Sequence, residues 1–226
     1  MFGLTTQCAI DAPSQRDTYP FTAAARDKVK IRIQVVSGTL DPAIHVYSPS
    51  GEQLCAAFTS QVLAEIGNCA LPVAGSYTLV VDDTYRSNTG QYLLYAQRLN
   101  NPDNAQPLDF GQTLTNTLQF VAEFSTYAMA ARAGASVKVR MTRLDGSFYP
   151  RLRLHSPTGA QLCVAFSSGP SAEISNCTLP STGIYTILAD DTYTSGTGIY
   201  AMDLTCLNEQ CRFSQTYIPL IATSPP

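Results

Sequence analysis

The chain has 226 residues, a formal net charge of −3 and 14% charged residues, against roughly 25% in ordinary soluble domains. That length builds one large domain or two of ordinary size. The charge gives a nucleic-acid role no electrostatic support, and no apolar run approaches the roughly 20 residues of a membrane-spanning helix.

The opening MFGLTTQCAIDAPSQRD has neither a basic nor an apolar leader segment, so the leader of an exported protein would lie outside this numbering. The first clear element is Lys28-Val29-Lys30-Ile31-Arg32-Ile33-Gln34-Val35. Its strict alternation describes a strand with one dry and one wet face. Further strands are expected at 43–47, 53–58, 77–81 and 92–97, between turn signals such as Ser48-Pro49-Ser50-Gly51 and Ser87-Asn88-Thr89-Gly90. The text then returns at an offset of 108. Cys55 falls on Cys163, Cys69 on Cys177, Gly75-x-Tyr77 on Gly183-x-Tyr185, and Asp82-Asp83-Thr84-Tyr85 on Asp190-Asp191-Thr192-Tyr193. The alternation returns in Val137-Lys138-Val139-Arg140-Met141. An ungapped match of this length marks a tandem duplication, with a period beyond the roughly 20–50 residues of solenoid units. The expected architecture is all-β, two tandem antiparallel β-sandwich (jelly-roll-like) domains. Copy one takes 1–100, copy two 101–211, and a C-terminal extension 212–226.

Each copy holds two cysteines with 13 residues between them, both placed between expected strands. We read Cys55–Cys69 and Cys163–Cys177 as disulfides, each closing a loop of about 15 residues and stabilising by roughly 3 kcal/mol in the chain-entropy model. Buried free thiols are the alternative. Zinc is disfavoured, because no histidine accompanies the cysteines at ligand spacing. Disulfides imply an oxidising compartment, extracellular or at the cell surface. Cys8, Cys206 and Cys211 have no counterparts in the other copy. Either Cys206–Cys211 closes a short loop and Cys8 is left over, or Cys8 pairs with one of them, within the chain or in a neighbouring subunit.

Catalytic residues are sparse. His45 and His155 are not equivalent positions, and no Ser-His-Asp or Cys-His set repeats, so the chain reads as a non-enzyme. Asp82, Asp83, Asp190 and Asp191 end strands and open oxygen-rich loops, which makes them candidate calcium ligands. Turn capping is the commoner role of such aspartates. Glu65 and Glu173 read as structural acids. Tyr85 and Tyr193 can stack on a sugar or protein partner, with loop packing the simpler role. Lys28, Lys30, Arg32, Lys138, Arg140, Arg143, Arg151 and Arg153 form basic strand faces. Such faces are solvated surface, guarded edges, or a seat for an acidic polysaccharide.

Several of these residues carry a family resemblance. They are Asp17-Thr18-Tyr19-x-Phe21, Ser37-Gly38-Thr39-Leu40-Asp41-Pro42, Ser48-Pro49-x-Gly51, Gly75-x-Tyr77-Thr78-Leu79, Asp82-Asp83 and Thr89-Gly90-x-Tyr92. Through them each copy resembles a bacterial pre-peptidase C-terminal domain. Copy two departs at Tyr149, where copy one has Asp41, and at Ala128-Met129 in place of Pro20-Phe21. The resemblance implies a β-sandwich similar to collagen-binding and carbohydrate-binding modules, carried as an accessory by secreted bacterial peptidases. Gln97-Arg98-Leu99-Asn100-Asn101-Pro102 and Tyr217-Ile218-Pro219-Leu220-Ile221 also resemble tandem-repeat surface proteins of filamentous, Chloroflexi-type bacteria.

The copying is ragged at both ends. Met1-Phe2-Gly3 aligns with Asp109-Phe110-Gly111, and residues 216–221 lie where 108–113 lie, at the approach to a further domain. The run Tyr217, Ile218, Pro219, Leu220 and Ile221 is therefore read as an assembly segment. It packs on, or adds a strand to, the first domain of the next subunit, where Cys8 is placed to lock the joint. The expected function is a non-catalytic extracellular structural or adhesive protein, self-associating head to tail into a filament or surface fibre. The alternative is an accessory collagen- or carbohydrate-binding module of a secreted enzyme.

Overall fold

A computed structural model describes residues 1–211; the expected assembly segment at Tyr217, Ile218, Pro219, Leu220 and Ile221 lies outside the described residues. The first half folds as β1 (Thr5–Ile10), β2 (Arg16–Ala23), β3 (Asp27–Gly38), β4 (Pro42–Tyr47), β5 (Gln53–Phe58), β6 (Leu63–Leu71), β7 (Gly75–Asp83) and β8 (Gly90–Arg98). These make two sheets, ordered β1-β8-β3-β6 and β2-β7-β4-β5, with antiparallel pairing throughout. Eight strands in this order form the double Greek key of a jelly roll.

The second half repeats the set. It contains β9 (Gln106–Pro107), β10 (Thr113–Leu118), β11 (Phe124–Ala131), β12 (Ser136–Arg143), β13 (Pro150–His155), β14 (Gln161–Phe166), β15 (Ser171–Thr178), β16 (Gly183–Asp191) and β17 (Gly198–Cys206). Its sheets run β10-β17-β12-β15 and β14-β13-β16-β11-β9. Registers match at the offset of 108: Arg32 stands opposite Glu65, and Arg140 opposite Glu173. β9 is the one addition. It pairs in parallel with β11, Gln106 against Tyr127 and Pro107 against Ala128, and the Leu108 N–H donates to the Ala128 carbonyl at 3.0 Å.

The alternation in β3 follows from this layering. Val29, Ile31, Ile33 and Val35 are buried between the sheets with Ile44, Val46, Leu79 and Val81. Val137, Val139 and Met141 do the same in the second sandwich, against Leu152, Leu154 and Ile187. Each such side chain contributes roughly 1.5–3 kcal/mol by leaving water. Tyr77 is buried in the first core and its hydroxyl donates to the Val73 carbonyl at 2.6 Å.

Disulfides join Cys55 to Cys69 and Cys163 to Cys177. All four cysteines lie inside strands: Cys55 in the strand expected at 53–58, Cys163 in its counterpart, and Cys69 and Cys177 in β6 and β15, not between strands. β5 and β6 are each the last strand of a sheet, so the bond staples one sheet edge to the facing one; β14 and β15 repeat the arrangement. Cys206 and Cys211 are bonded to each other, which removes both as inter-subunit candidates. The 3-10 turn Glu209–Cys211 returns the chain to the end of β17 and brings the two sulfurs together. Cys8 is the free thiol. It is partly buried, packs against the first core and donates to Asp17 Oδ2 at 3.3 Å.

Replacing Cys55 and Cys69 together by alanine is expected to lower the unfolding free energy by about 2–5 kcal/mol. Urea unfolding under non-reducing conditions reads the loss.

Candidate functional site

β3 turns Val29, Ile31 and Ile33 inward, so Lys28, Lys30 and Arg32 point out of the first sandwich. On an isolated sandwich they would be solvated. Here the second sandwich covers them, and Arg32 is only 1% exposed. Arg32 Nε donates to Glu65 Oε2 at 2.7 Å, and Nη1 to the Ala122 carbonyl at 2.7 Å. Nη2 reaches across to Asp190 Oδ2 at 3.0 Å. Asp190, on β16, is fully buried. It also accepts from Arg151 Nε at 2.8 Å, Arg151 Nη2 at 2.6 Å and Arg153 Nη2 at 2.7 Å, all from β13. Lys30 pairs with Glu65.

An apolar patch flanks the charges. Leu93, Tyr95 and Leu99 of the first sandwich meet Ala122, Phe124 and Leu188 of the second. The Tyr95 hydroxyl donates to the Val121 carbonyl at 2.9 Å, and the Arg32 guanidinium lies 5.5 Å from the Phe124 ring centre. Gly159, at φ +73°, brings the β13–β14 turn so close that a Cβ there would stand 3.0 Å from Lys28 Cδ.

This joint corrects the expectation for the basic faces. Lys30, Arg32, Arg151 and Arg153 are interior groups of a two-sandwich contact, not solvated surface, guarded edges or a seat for polysaccharide. Two repeated acids are absorbed by it: Glu65, paired with Lys30 and Arg32, and Asp190. Their counterparts differ in surroundings. Glu173 pairs with Arg140, whose side chain is half exposed. Asp82 pairs with Arg16 at 3.2 Å and His45 at 3.2 Å.

The second aspartate of each pair is a loop cap. Asp83 accepts from the backbone N–H groups of Asp41, Tyr85, Ser87 and Asn88. Asp191 accepts from those of Tyr149, Ser195 and Gly196. Consecutive strand residues point to opposite sides, so neither pair converges on one point. Among the described residues, no three His, Cys, Asp or Glu side chains gather as a cation site. Tyr85 and Tyr193 are exposed, and the Tyr193 ring meets Tyr149 edge-on, 5.3 Å between ring centres. His45 is hydrogen-bonded to Gln53 and Asp82. His155 is buried with Nδ1 unpartnered.

Lys30, Arg32, Arg151 and Arg153 meet Glu65 and Asp190 in the joint, and protonation reflects it. Burial opposes ionisation of Asp190, yet Arg153, Arg151 and Arg32 outweigh it and hold the carboxyl well below the usual range. Burial likewise opposes ionisation of Glu65, but Arg32 and Lys30 pull its pKa down to about 2. Burial lowers Lys30 to about 8 despite Glu65, with Arg153 and Arg32 adding repulsion. Burial lowers His155 to about 4, with Arg153, Lys30 and Lys28 repelling a second positive charge. Such a site holds the two sandwiches against each other through buried charges.

No protein-family model matches the sequence, and no curated protein does. Solved structures similar to the chain include the pre-peptidase C-terminal domain of collagenase from Bacillus anthracis, at 14% identity and TM-score 0.39, covering 47% of this chain and 99% of that one. The exported protein XepA of PBSX matches at 13% identity and TM-score 0.26, over 90% and 87% of the two chains. The CBM22-1-CBM22-2 tandem domain of Paenibacillus barcinonensis Xyn10C matches at 12% identity and TM-score 0.26, over 84% and 82%. At such identities these are likenesses of strand arrangement.

Arg32 and Arg140 are the same residue facing the same partner, one buried and one exposed. Arg32→Ala is expected to cost about 3–5 kcal/mol, because Glu65 and Asp190 lose a buried partner. Arg140→Ala should stay within about 1 kcal/mol. Chemical denaturation of the two variants makes the comparison. The pH dependence has a defined sign. Folded His155 stays neutral down to about pH 4, whereas an unfolded histidine takes a proton near 6.5. Stability is therefore lost as pH falls through that window, by about 1.4 kcal/mol per unit. Glu65, with a folded pKa near 2 against 4.5, adds a further loss below about pH 4.5. In His155→Gln the unfolding free energy should stay flat from pH 6.5 to 5, as read by denaturant titrations.

Proposed function

We propose that this chain is a non-catalytic extracellular structural or adhesive protein, a rigid two-sandwich unit that self-associates head to tail into a filament or surface fibre. The observation that carries the reading is the buried ion network through Arg32 and Asp190. It fixes two stapled sandwiches in one orientation, as a stiff rod unit requires and a flexibly tethered accessory domain does not. Three disulfides suit an oxidising compartment. Among the described residues, His45 bonds Gln53 and Asp82 and His155 Nδ1 has no partner, which lends the chemistry of a hydrolase no support.

One observation favours a second reading. Exposed aromatic residues repeat, Phe58 with Phe166 and Tyr85 with Tyr193. Such a set suits an accessory module that contacts polysaccharide or a collagen-like protein.

Light scattering of the full chain at neutral pH, without reductant, tests the first reading. A concentration-dependent ladder of multiples of 24.4 kDa is expected. A strict monomer that binds glycan or collagen arrays would transfer the assignment to the second.

A further inference from the structure

The internal joint is heterologous: one face of the first sandwich meets a different face of the second. Because the two sandwiches share strand order and register, each half of the joint has a counterpart elsewhere on the same chain. The face with Arg32 and Glu65 reappears on the second sandwich as Arg140 and Glu173, on the equivalent strands. The face with Asp190 reappears on the first sandwich as Asp82, on β7. In the described chain both counterparts are uncovered by any third sandwich. Leu99 is 1% exposed inside the joint, while its counterpart Leu207 is 44% exposed.

We propose that copies of this chain join head to tail by repeating their own internal joint, the Arg140–Glu173 face of one copy docking on the Asp82 face of the next. The occupant of each face is thus a second copy of the chain. This rests on the self-associating reading above and names its contact surface. A heterologous contact that does not close on itself propagates into a filament.

Charge complementarity supports the match residue by residue. Arg140 occupies the place of Arg32, and Asp82 that of Asp190. The Tyr95–Phe124 contact, 6.0 Å between ring centres, has Asp203 and Arg16 as its counterparts, an opposite-charge pair. The Ala122 carbonyl that receives Arg32 sits at φ +59°, and its counterpart Ser14 holds φ +64° on an exposed turn. The same acceptor is therefore presented to Arg140. A recess of about 210 Å³ bounded by His45, Phe58, Asp82 and Arg86 lies on this face.

The open edge of β2 fits the same plan. Residues 100–105 lead from Leu99 to β9, which lies on the open edge of β11 and buries Leu108 in the second core. β2, the counterpart of β11, pairs only with β7 among the described residues. A recess of about 570 Å³ opens beside its Pro20 and Phe21. Pro20 has no N–H to donate, but its carbonyl matches the Ala128 carbonyl that accepts from Leu108.

The test uses full-length chains and light scattering at low salt. Arg140→Glu and Asp82→Arg are each expected to raise the concentration needed for assembly at least tenfold. An equimolar mixture of the two is expected to assemble again, because each altered face then finds its opposite. Arg16→Asp and Asp203→Arg form a second reciprocal pair, used if Asp82→Arg melts early by circular dichroism. Wild-type-like polymers from both charge variants, or loss without rescue on mixing, would overturn the proposed joint and leave the self-associating reading standing. A wild-type chain that stays monomeric at every concentration would overturn that reading, and the joint with it.

Discussion

The structure depends on one carboxylate. Asp190 is fully buried and accepts hydrogen bonds from three guanidinium groups, one of which belongs to the other sandwich. Removing these charges from water costs several kcal/mol per ion, so the network is no efficient glue. Its value is in orientation. An apolar contact tolerates sliding and rotation, whereas a buried carboxylate with four N–H donors accepts a narrow set of geometries. The apolar patch of Leu93, Tyr95, Leu99, Phe124 and Leu188 contributes cohesion, and the ions choose the angle at which it acts.

Duplication made this contact affordable in sequence terms. The Arg-Glu pair and the acidic strand end are identical in both copies. The copies diverge in what surrounds them: Arg151 and Arg153 against Ala43 and His45, Phe124 against Arg16, Tyr95 against Asp203. The substitutions on the internal joint are apolar or cationic, as a dry, acid-centred contact requires. On the outward faces Arg16 and Asp203 bring charge that water reaches, His45 is partly exposed, and Ala43 is a small buried residue. One inherited pair of faces thus serves as a permanent joint inside the chain and, in the head-to-tail scheme, as a reversible one between chains.

Rigidity is arranged at two scales. Within each sandwich a disulfide ties the free edges of facing sheets, where the ladder of hydrogen bonds ends. Between sandwiches the linker is held down as well as the faces. Gln97 and Arg98 donate to Asp103, and Asn104 donates to the Phe2 carbonyl. The pieces that move most easily in a two-domain chain, its edges and its hinge, are the ones most heavily bonded.

The strands, the all-β class and the stapling cysteines could be read from the sequence, because each rests on local rules. Alternation in residues 28–35 and 137–141 names a half-buried strand whatever lies beyond it, and a repeat at 108 imposes the same strand order twice. The fate of the wet faces could not be read. Lys30 and Arg32 look solvated by period-two reasoning, since that pattern reports which face meets the strand's own partner sheet and is silent about a second body. The one available signal was divergence: positions such as Arg16/Phe124 and Asp203/Tyr95 break an otherwise faithful copy. The sequence by itself determined the sandwich, because burial of alternate side chains is settled within about a hundred residues. Only the tertiary structure decided which charges are interior, because Coulomb energy depends on neighbours from strands up to 158 residues apart, as Arg32 and Asp190 are.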